Sequence, residues 1–493
     1  MSASKVFSIA SVENDLQARG KEMKFSFINP SPSELLVASA SWPPLGILYL
    51  ATTLRERGID VSVLDQPAKG FTVEETVKWV AKEDPDLLGF STYANSFSTA
   101  TKISKAVKKQ NSNITTIFGN YFATFNAERI LRKYPAVDLI VRGEGETTVV
   151  DLVDCLKKKH QLKKVLGITF RGGDTIVSTP DRLLIDDLDS IPFPDRSLLD
   201  VEYHSMIAGA QLGRKKFTSI ISSRGCPYNC RFCGCQQLAR SRWRQRSVEN
   251  TLEELLYLTS EGYQQFMFVD DSFTINHKRV IILCKRIRQE KLDIEWSCEG
   301  RVDRCPYDMM KELPKAGCHA IYFGIESANQ RLLDYYNKKI TPQQSENAVK
   351  TARKAGIDMI IGAFIVGALD ETREEMQNTF KFAKRLPIDF PQFNVLTAYP
   401  GMDIWNELTR KGHLNKENHW ENGVFVSQLG SSAVPFHEIQ QMIHDAYIEY
   451  ILRPRFLVRQ VARLLISPYR REILRTNWPL LKDALVRGTW EYA

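Results

Sequence analysis

The 493-residue sequence predicts an α/β protein, with two parallel-sheet domains in series and a helical tail. Three observations predict it. Short apolar runs of β type alternate with longer amphipathic stretches from Met23 to about His160, and the alternation resumes near Phe217. After about Lys411 these runs stop, and an Arg-rich helical periodicity replaces them. Strands that alternate with helices are joined by crossovers, which gives parallel sheets covered on both faces.

The first domain is read from KFSFIN, a helix-like run from Leu45 to Arg57, IDVSVLD, a helix from Val73 to Lys82, DLLGFS, ITTIFGN and VDLIVRG. Behind an extension of residues 1–22, this makes residues 23–160 a Rossmann-like, doubly wound domain. Residues 161–213 carry a hairpin-like GITFRGGDTIVSTP and IDDLDSIPFPDRSLLD, and are read as a connector lying across the next domain. Residues 214–412 contain six candidate strands: FTSIISS, FMFVD, IEWSCE, AIYFGI, MIIGAFIV and FNVLT. Six such units make a partial (β/α)6 barrel, whose site is expected at the C-terminal ends of the strands. Residues 413–493 are helical and basic; His413, His419 and Trp420 begin this region and are assigned no role.

Composition narrows the class. With 43% hydrophobic and 25% charged residues and no biased tract, the chain is neither disordered nor collagenous nor a coiled coil. The best membrane-span candidate, which starts at Leu35, is broken by Ser39, Ser41 and Pro43-Pro44. The first 22 residues lack the features of a signal peptide, so the expected location is cytoplasmic. Nine cysteines, four of them between 226 and 235, point to metal rather than to a disulfide scaffold. Of the net charge of +8, residues 451–493 carry +6, which makes the basic surplus a C-terminal feature rather than a nucleic-acid footprint.

The strongest chemical signal is Cys226-Pro-Tyr-Asn-Cys230-Arg-Phe-Cys233, in the loop after the first barrel strand. Three thiolates at C-x3-C-x2-C spacing can wrap one iron–sulfur cluster and leave one of its irons open. The alternative is a zinc knob with Cys235 as fourth ligand, although a Cys-x-Cys ending is cramped for tetrahedral zinc. With an aromatic, Phe232, before the third cysteine, the motif resembles the signature of the radical S-adenosylmethionine superfamily. The resemblance implies a 4Fe-4S cluster held by Cys226, Cys230 and Cys233, whose free iron chelates S-adenosylmethionine and whose electron cleaves it to a 5'-deoxyadenosyl radical.

The same resemblance implies S-adenosylmethionine contacts along the strand ends. Asp270 and Asp271 stand where the family meets the methionine ammonium, Arg301 where a carboxylate is taken bidentately, and Glu326 with Ser327 where ribose is bound. Gly367-Ala368-Leu369-Asp370-Glu371-Thr372 is an altered form of a family turn. Of the remaining Cys235, Cys284, Cys298, Cys305 and Cys318, scattered singles read as core cysteines, with Cys298, at a strand end facing the mouth, as the exception and a second cluster as the alternative.

A doubly wound domain ahead of such a barrel is similar to the cobalamin-binding class of these enzymes, the group that includes the magnesium-protoporphyrin ester cyclase and C-methyltransferases. Pro43-Pro44-Leu45-Gly46 and Arg142-Gly143-Glu144-Gly145-Glu146 are typical of it. The general cobalamin signature, Asp-x-His-x-x-Gly, is replaced by Asp65-Gln66-Pro67-Ala68-Lys69-Gly70, so position 67 offers cobalt no ligand. Ser91-Thr92 and Gly119-Asn120 sit at the edge where such sheets bind ligands, with Asn120 where the family has glycine. Asp65, Gly70, Ser91, Thr92, Gly119 and Asn120 are therefore the expected cobalamin contacts; the alternative is a domain that has lost its ligand.

ILRPRFLVRQVARLLISPYRR reads as one basic amphipathic helix, either packed on the barrel with solvated arginines or touching a membrane surface. The expected activity is cobalamin-dependent methylation of an unactivated carbon on a lipid, tetrapyrrole or other natural product. The alternative is radical oxidative cyclisation or carbon–carbon coupling. The expected partners are such a small-molecule or lipid substrate and a reductant such as flavodoxin or ferredoxin, with no nucleic acid.

Overall fold

The computed structural model describes residues 23–32, 42–158, 160–207, 210–414, 431 and 433–487; the 1–22 extension, His419 and Trp420 lie outside the described residues. The chain divides into two compact units near residue 201.

The first unit is built on β1 (Lys24–Asn29), β2 (Asp60–Asp65), β3 (Leu87–Ser91), β4 (Thr115–Gly119) and β5 (Leu139–Val141), all parallel, in the spatial order 2-1-3-4-5. Each strand is apolar on both faces because helices cover both. One face packs Phe25, Phe27, Ile47, Leu54 and Leu152, the other Ile28, Leu88, Phe90, Ile103 and Phe118. The stacked pair Phe25–Phe27 needs Gly89 on the neighbouring strand, where a Cβ would lie 2.8 Å from the Phe27 ring.

The hairpin assigned to the connector is corrected by the structure. Its strands, β6 (Ile168–Gly172) and β7 (Thr175–Ser178), continue the first sheet antiparallel to β5. Ile168 and Phe170 are buried in the same core as Phe25, and an open β5 edge offers the unpaired backbone groups that a hairpin satisfies. Arg142 fastens it: its guanidinium donates to the carbonyls of Ile168 (2.8 Å) and Thr179 and pairs with Asp181.

In the second unit β8 (Phe217–Ile220), β9 (Gln265–Phe268), β10 (Glu295–Gly300), β11 (Cys318–Glu326), β12 (Met359–Val366) and β13 (Phe390–Val395) lie parallel in sequential order, an open partial barrel. Phe266, Phe268, Trp296, Phe323 and Phe364 pack with the covering helices, Cys284, Cys305 and Cys318 belong to that core, and so does Cys298, which corrects its placement at the mouth, because it shares the pleat face of Trp296. Glu299 alternates with these and so belongs to the inner face.

The tail is three helices, Phe436–Ile451, Pro454–Ile466 and Pro468–Arg487, rather than one across the arginine-rich stretch. Prolines 454 and 468 cause the breaks, since proline starts a helix readily and cannot continue one. The arginines are not simply solvated. Arg463 and Arg470 donate to Asp389 Oδ1 at 2.7 and 2.8 Å, Arg353 pairs with the same carboxylate, and Arg459 donates to the Ile388 carbonyl at 2.6 Å. Burial alone would raise the Asp389 carboxyl, but the three guanidinium groups hold it at about 2.

Candidate active site

The cysteine loop leaves β8 through Gly225, at φ 85°, where a Cβ would sit 2.1 Å from the Arg242 carbonyl oxygen, so only glycine fits. Three supports then hold the loop. The Gly225 N–H donates to Asp271 Oδ2 at 2.8 Å. The Arg231 N–H donates to the Tyr336 carbonyl (2.9 Å) and its guanidinium to the Tyr335 carbonyl (3.1 Å), while Asn337 Nδ2 donates to the Asn229 carbonyl (2.8 Å). Arg301 lies 3.6 Å from the Tyr228 ring centroid, with Nη1 3.8 Å from Cys230 Sγ.

Cys226, Cys230 and Cys233 are free thiols. Burial pushes the Cys226 thiol up and the Cys233 thiol to about 11, and the three sulfurs near one another add to both shifts. Thiolates packed this closely need positive charge beside them, and metal binding, which displaces their protons, supplies it. Among the described residues no three His, Cys, Asp or Glu side chains form a single-ion site. A 4Fe-4S cluster takes one thiolate per iron, so its ligands need not converge on one point. The donor set fits that group. Cys235, the fourth thiol of the zinc alternative, is raised further, by burial first and then by the Asp271 carboxylate that its S–H meets.

The residues expected to bind S-adenosylmethionine divide into two groups. Asp271 is exposed beside the loop, and Glu326 ends β11, but Asp270 turns inward. Asp270 is 1% exposed, and it accepts the Ser222 N–H and hydroxyl at 3.0 Å and the Ser223 hydroxyl at 2.6 Å. It ties β9 to the start of the loop, and burial pushes its carboxyl up to about 6. Ser327 also points away, its hydroxyl engaged by the Asn329 N–H (3.1 Å) and Thr379 Oγ1 (3.2 Å). The Arg301 fork is closed by Asp303, with Nε to Oδ1 at 3.0 Å, and its Nη2 donates to the Lys338 carbonyl at 2.9 Å. Within the chain these three residues brace the strand ends around the cysteine loop. Phe232 meets the Tyr336 ring edge-on, centroids 5.4 Å apart.

Lys338 joins the site only through the fold. Its Nζ lies 2.5 Å from Glu326 Oε1 and 5.6 Å from the Phe232 ring centroid, with both members of the ion pair buried. Burial disfavours its ammonium, but Glu326 and the nearby Cys230 thiol outweigh this and raise its affinity for a proton. Glu326 is held at φ 65° beside a bulge in the β11–β12 pairing, an unusual backbone for a non-glycine residue. A Cβ at Gly324 would lie 2.6 Å from Glu326 Oε1 and 2.8 Å from Lys338 Nζ, so a bare glycine makes room for the pair. The available signal was a lysine in Tyr335-Tyr336-Asn337-Lys338-Lys339, close after the Glu326 strand end.

Two further acids line or close the site. Glu299 reaches solvent yet is ringed by protein, which, with Asp271 and Asp270 nearby, pushes its carboxyl up to about 7 against the opposing Lys338. Glu371 is fully buried in the altered turn; burial pushes it up to about 7, although its Oε2 accepts the Ala368 N–H at 3.0 Å.

In the first unit, the residues expected to meet cobalamin gather at the C-terminal edge of the sheet. Asp65 ends β2 and accepts Asn29 Nδ2 at 2.8 Å, and Gly70, at φ 65°, ends the short helix Gln66–Lys69 that carries Pro67. Asn120 Nδ2 donates to Ser91 Oγ at 2.8 Å, while the Thr92 hydroxyl, fully buried, donates to the Gly119 carbonyl at 2.7 Å. Asn120 sits at φ 76°, the left-handed backbone a glycine would take and asparagine tolerates best among the others. A Cβ at Gly119 would make an ordinary contact, 3.7 Å from the Val141 carbonyl oxygen. Apart from the proline at 67, which brings no nitrogen to cobalt, the residues here fit a corrin held through backbone and small polar groups.

Comparison with known proteins agrees with this geometry. The Radical SAM superfamily profile matches residues 220–383, and the B12 binding domain profile matches residues 35–153. An uncharacterized methyltransferase, PH0819, from Pyrococcus horikoshii is 38% identical over 90% of this chain and 95% of its own length. The anaerobic magnesium-protoporphyrin IX monomethyl ester cyclase of Rubrivivax gelatinosus is 29% identical over 79% of this chain and 70% of that protein. Among solved structures, the radical S-adenosylmethionine methyltransferase TsrM of Kitasatospora setae, with cobalamin and a [4Fe-4S] cluster bound, superposes with a TM-score of 0.64 at 16% identity, over 79% of this chain and 75% of that one. A cluster-type cysteine loop on a partial barrel, a corrin-type sheet edge and a near full-length relative together place the chain in the family of B12-binding-domain radical S-adenosylmethionine enzymes.

Proposed function

We propose that this enzyme methylates an unactivated carbon of a small-molecule substrate: a lipid, a tetrapyrrole or another natural product. The observation that carries the reading is the presence in one chain of a three-thiol loop and a sheet edge fitted to a corrin, in a relative of a methyltransferase. When bound, the cluster and S-adenosylmethionine supply a 5'-deoxyadenosyl radical, and cobalamin supplies a transferable methyl group.

The chain's own residues do the positioning. Cys226, Cys230 and Cys233 would hold the cluster, and Arg301 places positive charge beside Cys230. Asp271, after β9, and the Glu326–Lys338 pair, at the end of β11, present a carboxylate and an ammonium to the charged groups of S-adenosylmethionine. Asp270 and Ser327 hold those strand ends in place. Glu299, titrating near neutrality on the inner barrel face, can hold a proton on its carboxyl and hydrogen-bond a polar substrate group. Ser91, Thr92, Gly119 and Asn120 form the corrin edge, and Asp65 and Gly70 shape the loop beside it. The electron comes from a small reductant of the flavodoxin or ferredoxin kind, and the chain works in the cytoplasm.

The similarity to the cyclase favours one second reading, radical cyclisation without methyl transfer. The products separate the two. Enzyme purified anaerobically with iron, sulfide and hydroxocobalamin is expected to carry about four irons and near-stoichiometric cobalt, and to release S-adenosylhomocysteine together with 5'-deoxyadenosine. Four irons without cobalt, and 5'-deoxyadenosine alone, would replace methylation by cyclisation or coupling.

A further inference from the structure

The helix Pro454–Ile466 meets the barrel through Phe456 and its arginines and turns most of its apolar residues away from it. No residue of it is buried. Its arginines 459 and 463 face the barrel through the Ile388 carbonyl and Asp389. Phe456 packs on the barrel core, while a separate apolar row faces out: Val458 is 69% exposed, Val461 57%, Leu465 77% and Ile466 80%. Leu452, Ile451 and Ile448 at the end of the preceding helix and Trp478 of the following helix are also exposed. Surface leucines and valines scattered singly need no explanation, but positions 458, 461 and 465 form one continuous stripe at helical spacing.

We propose that this stripe docks the enzyme on an anionic lipid surface. Charge complementarity selects that occupant. From Tyr450 to Arg471 the chain has six arginines and no Asp or Glu. Asp389 and Asp358 together carry two negative charges against Arg353, Arg463 and Arg470, which leaves one positive charge beneath the stripe in addition to Arg455 and Arg459. Arg455 is exposed next to Leu457 and Val458, where it can reach a phosphate while they enter the acyl boundary. A second copy of the chain is the poorer occupant. A single helix about 20 Å long presents a narrow row, against the roughly 800 Å² per partner that a stable dimer buries. Among the described residues no helix is long and apolar enough to cross a membrane, so the contact is peripheral.

Because the docking stands apart from the methylation reading, it is tested without turnover. Full-length protein is sedimented with phosphatidylglycerol–phosphatidylcholine vesicles and, separately, with phosphatidylcholine vesicles alone. The wild type is expected in the pellet with the anionic vesicles and largely in the supernatant with the neutral ones. Val461→Asp and Leu465→Asp should each lower the bound-to-free ratio at least about ten-fold, with iron content and thermal transition unchanged because both sites are exposed. A wild type that ignores anionic vesicles, or variants that bind as well as it does, would overturn the proposal. So would self-association in sedimentation velocity that the same substitutions abolish, since the stripe would then be an interface between copies.

Discussion

Replacing Lys338 by methionine should loosen the cysteine loop even though no cluster ligand is touched. The substitution keeps most of the side-chain volume but leaves Glu326, 5% exposed, without the ammonium 2.5 Å away. Removing one member of a buried pair costs about 3–5 kcal/mol, because the remaining charge has neither water nor partner. At about 2–4 °C per kcal/mol for a unit of this size, the calorimetric transition of the barrel should fall by roughly 6–20 °C. Lys338 also lies over Phe232, and the adjacent Tyr336 carbonyl holds Arg231, so reconstituted iron per chain should fall along with stability. Calorimetry and iron analysis are run on Lys338→Met, Glu326→Gln and the double variant. The double variant is expected to recover much of the stability, since no lone buried charge remains, but not the iron content if the pair also positions the loop. A Lys338→Met protein with wild-type transition and iron would refute the assignment of the pair as a support of the site.

Other outcomes follow from the same structure. Ser in place of Cys226, Cys230 or Cys233 should each abolish the iron–sulfur absorption band, whereas Cys235→Ala should keep it; loss of the band in Cys235→Ala would revive a four-thiol site. Glu371 takes up a proton on folding, because its buried carboxyl titrates near 7 instead of near 4.5, so its contribution is complete in acid and is lost as pH rises through about 7. Glu371→Gln should therefore flatten the stability profile between about pH 5 and 8 and gain about 3 kcal/mol at the alkaline end, as read by urea unfolding. Asp389 behaves in the opposite sense: its carboxyl is held down at about 2, so its contribution is present above about pH 4 and lost as pH falls through 2. Asp389→Asn should cost about 3–5 kcal/mol and make the tail after Tyr450 newly sensitive to limited proteolysis; an unchanged cleavage pattern would show that the arginines dock by other means. Asn120→Gly should preserve cobalamin uptake, while Asn120→Val should cost about 1–2 kcal/mol through its left-handed backbone.

Local chemistry by itself determined much of this protein. The cysteine spacing, the six apolar runs of the barrel and the alternation of the first domain were legible because each is carried by neighbours in sequence, and parallel sheets leave few ways to arrange such units. The fitness of Asn120 for a glycine's place also follows from local preference, although the φ of 76° that requires it is seen only in the fold. Tertiary structure decided the rest. Asp270 and Asp271 are adjacent in sequence, yet one is spent on Ser222 and Ser223 while the other faces the loop, because successive residues at a strand end point to opposite sides. Lys338 joins the site only because β11 and the turn after it bring it back to Glu326. The hairpin could be recognised as a hairpin, but its place depended on the open β5 edge. The amphipathic pattern of the tail was equally visible, but which face turns inward was not. Periodicity says that two faces exist, and the Asp389 carboxylate, buried between three arginines, determined which of them the barrel receives.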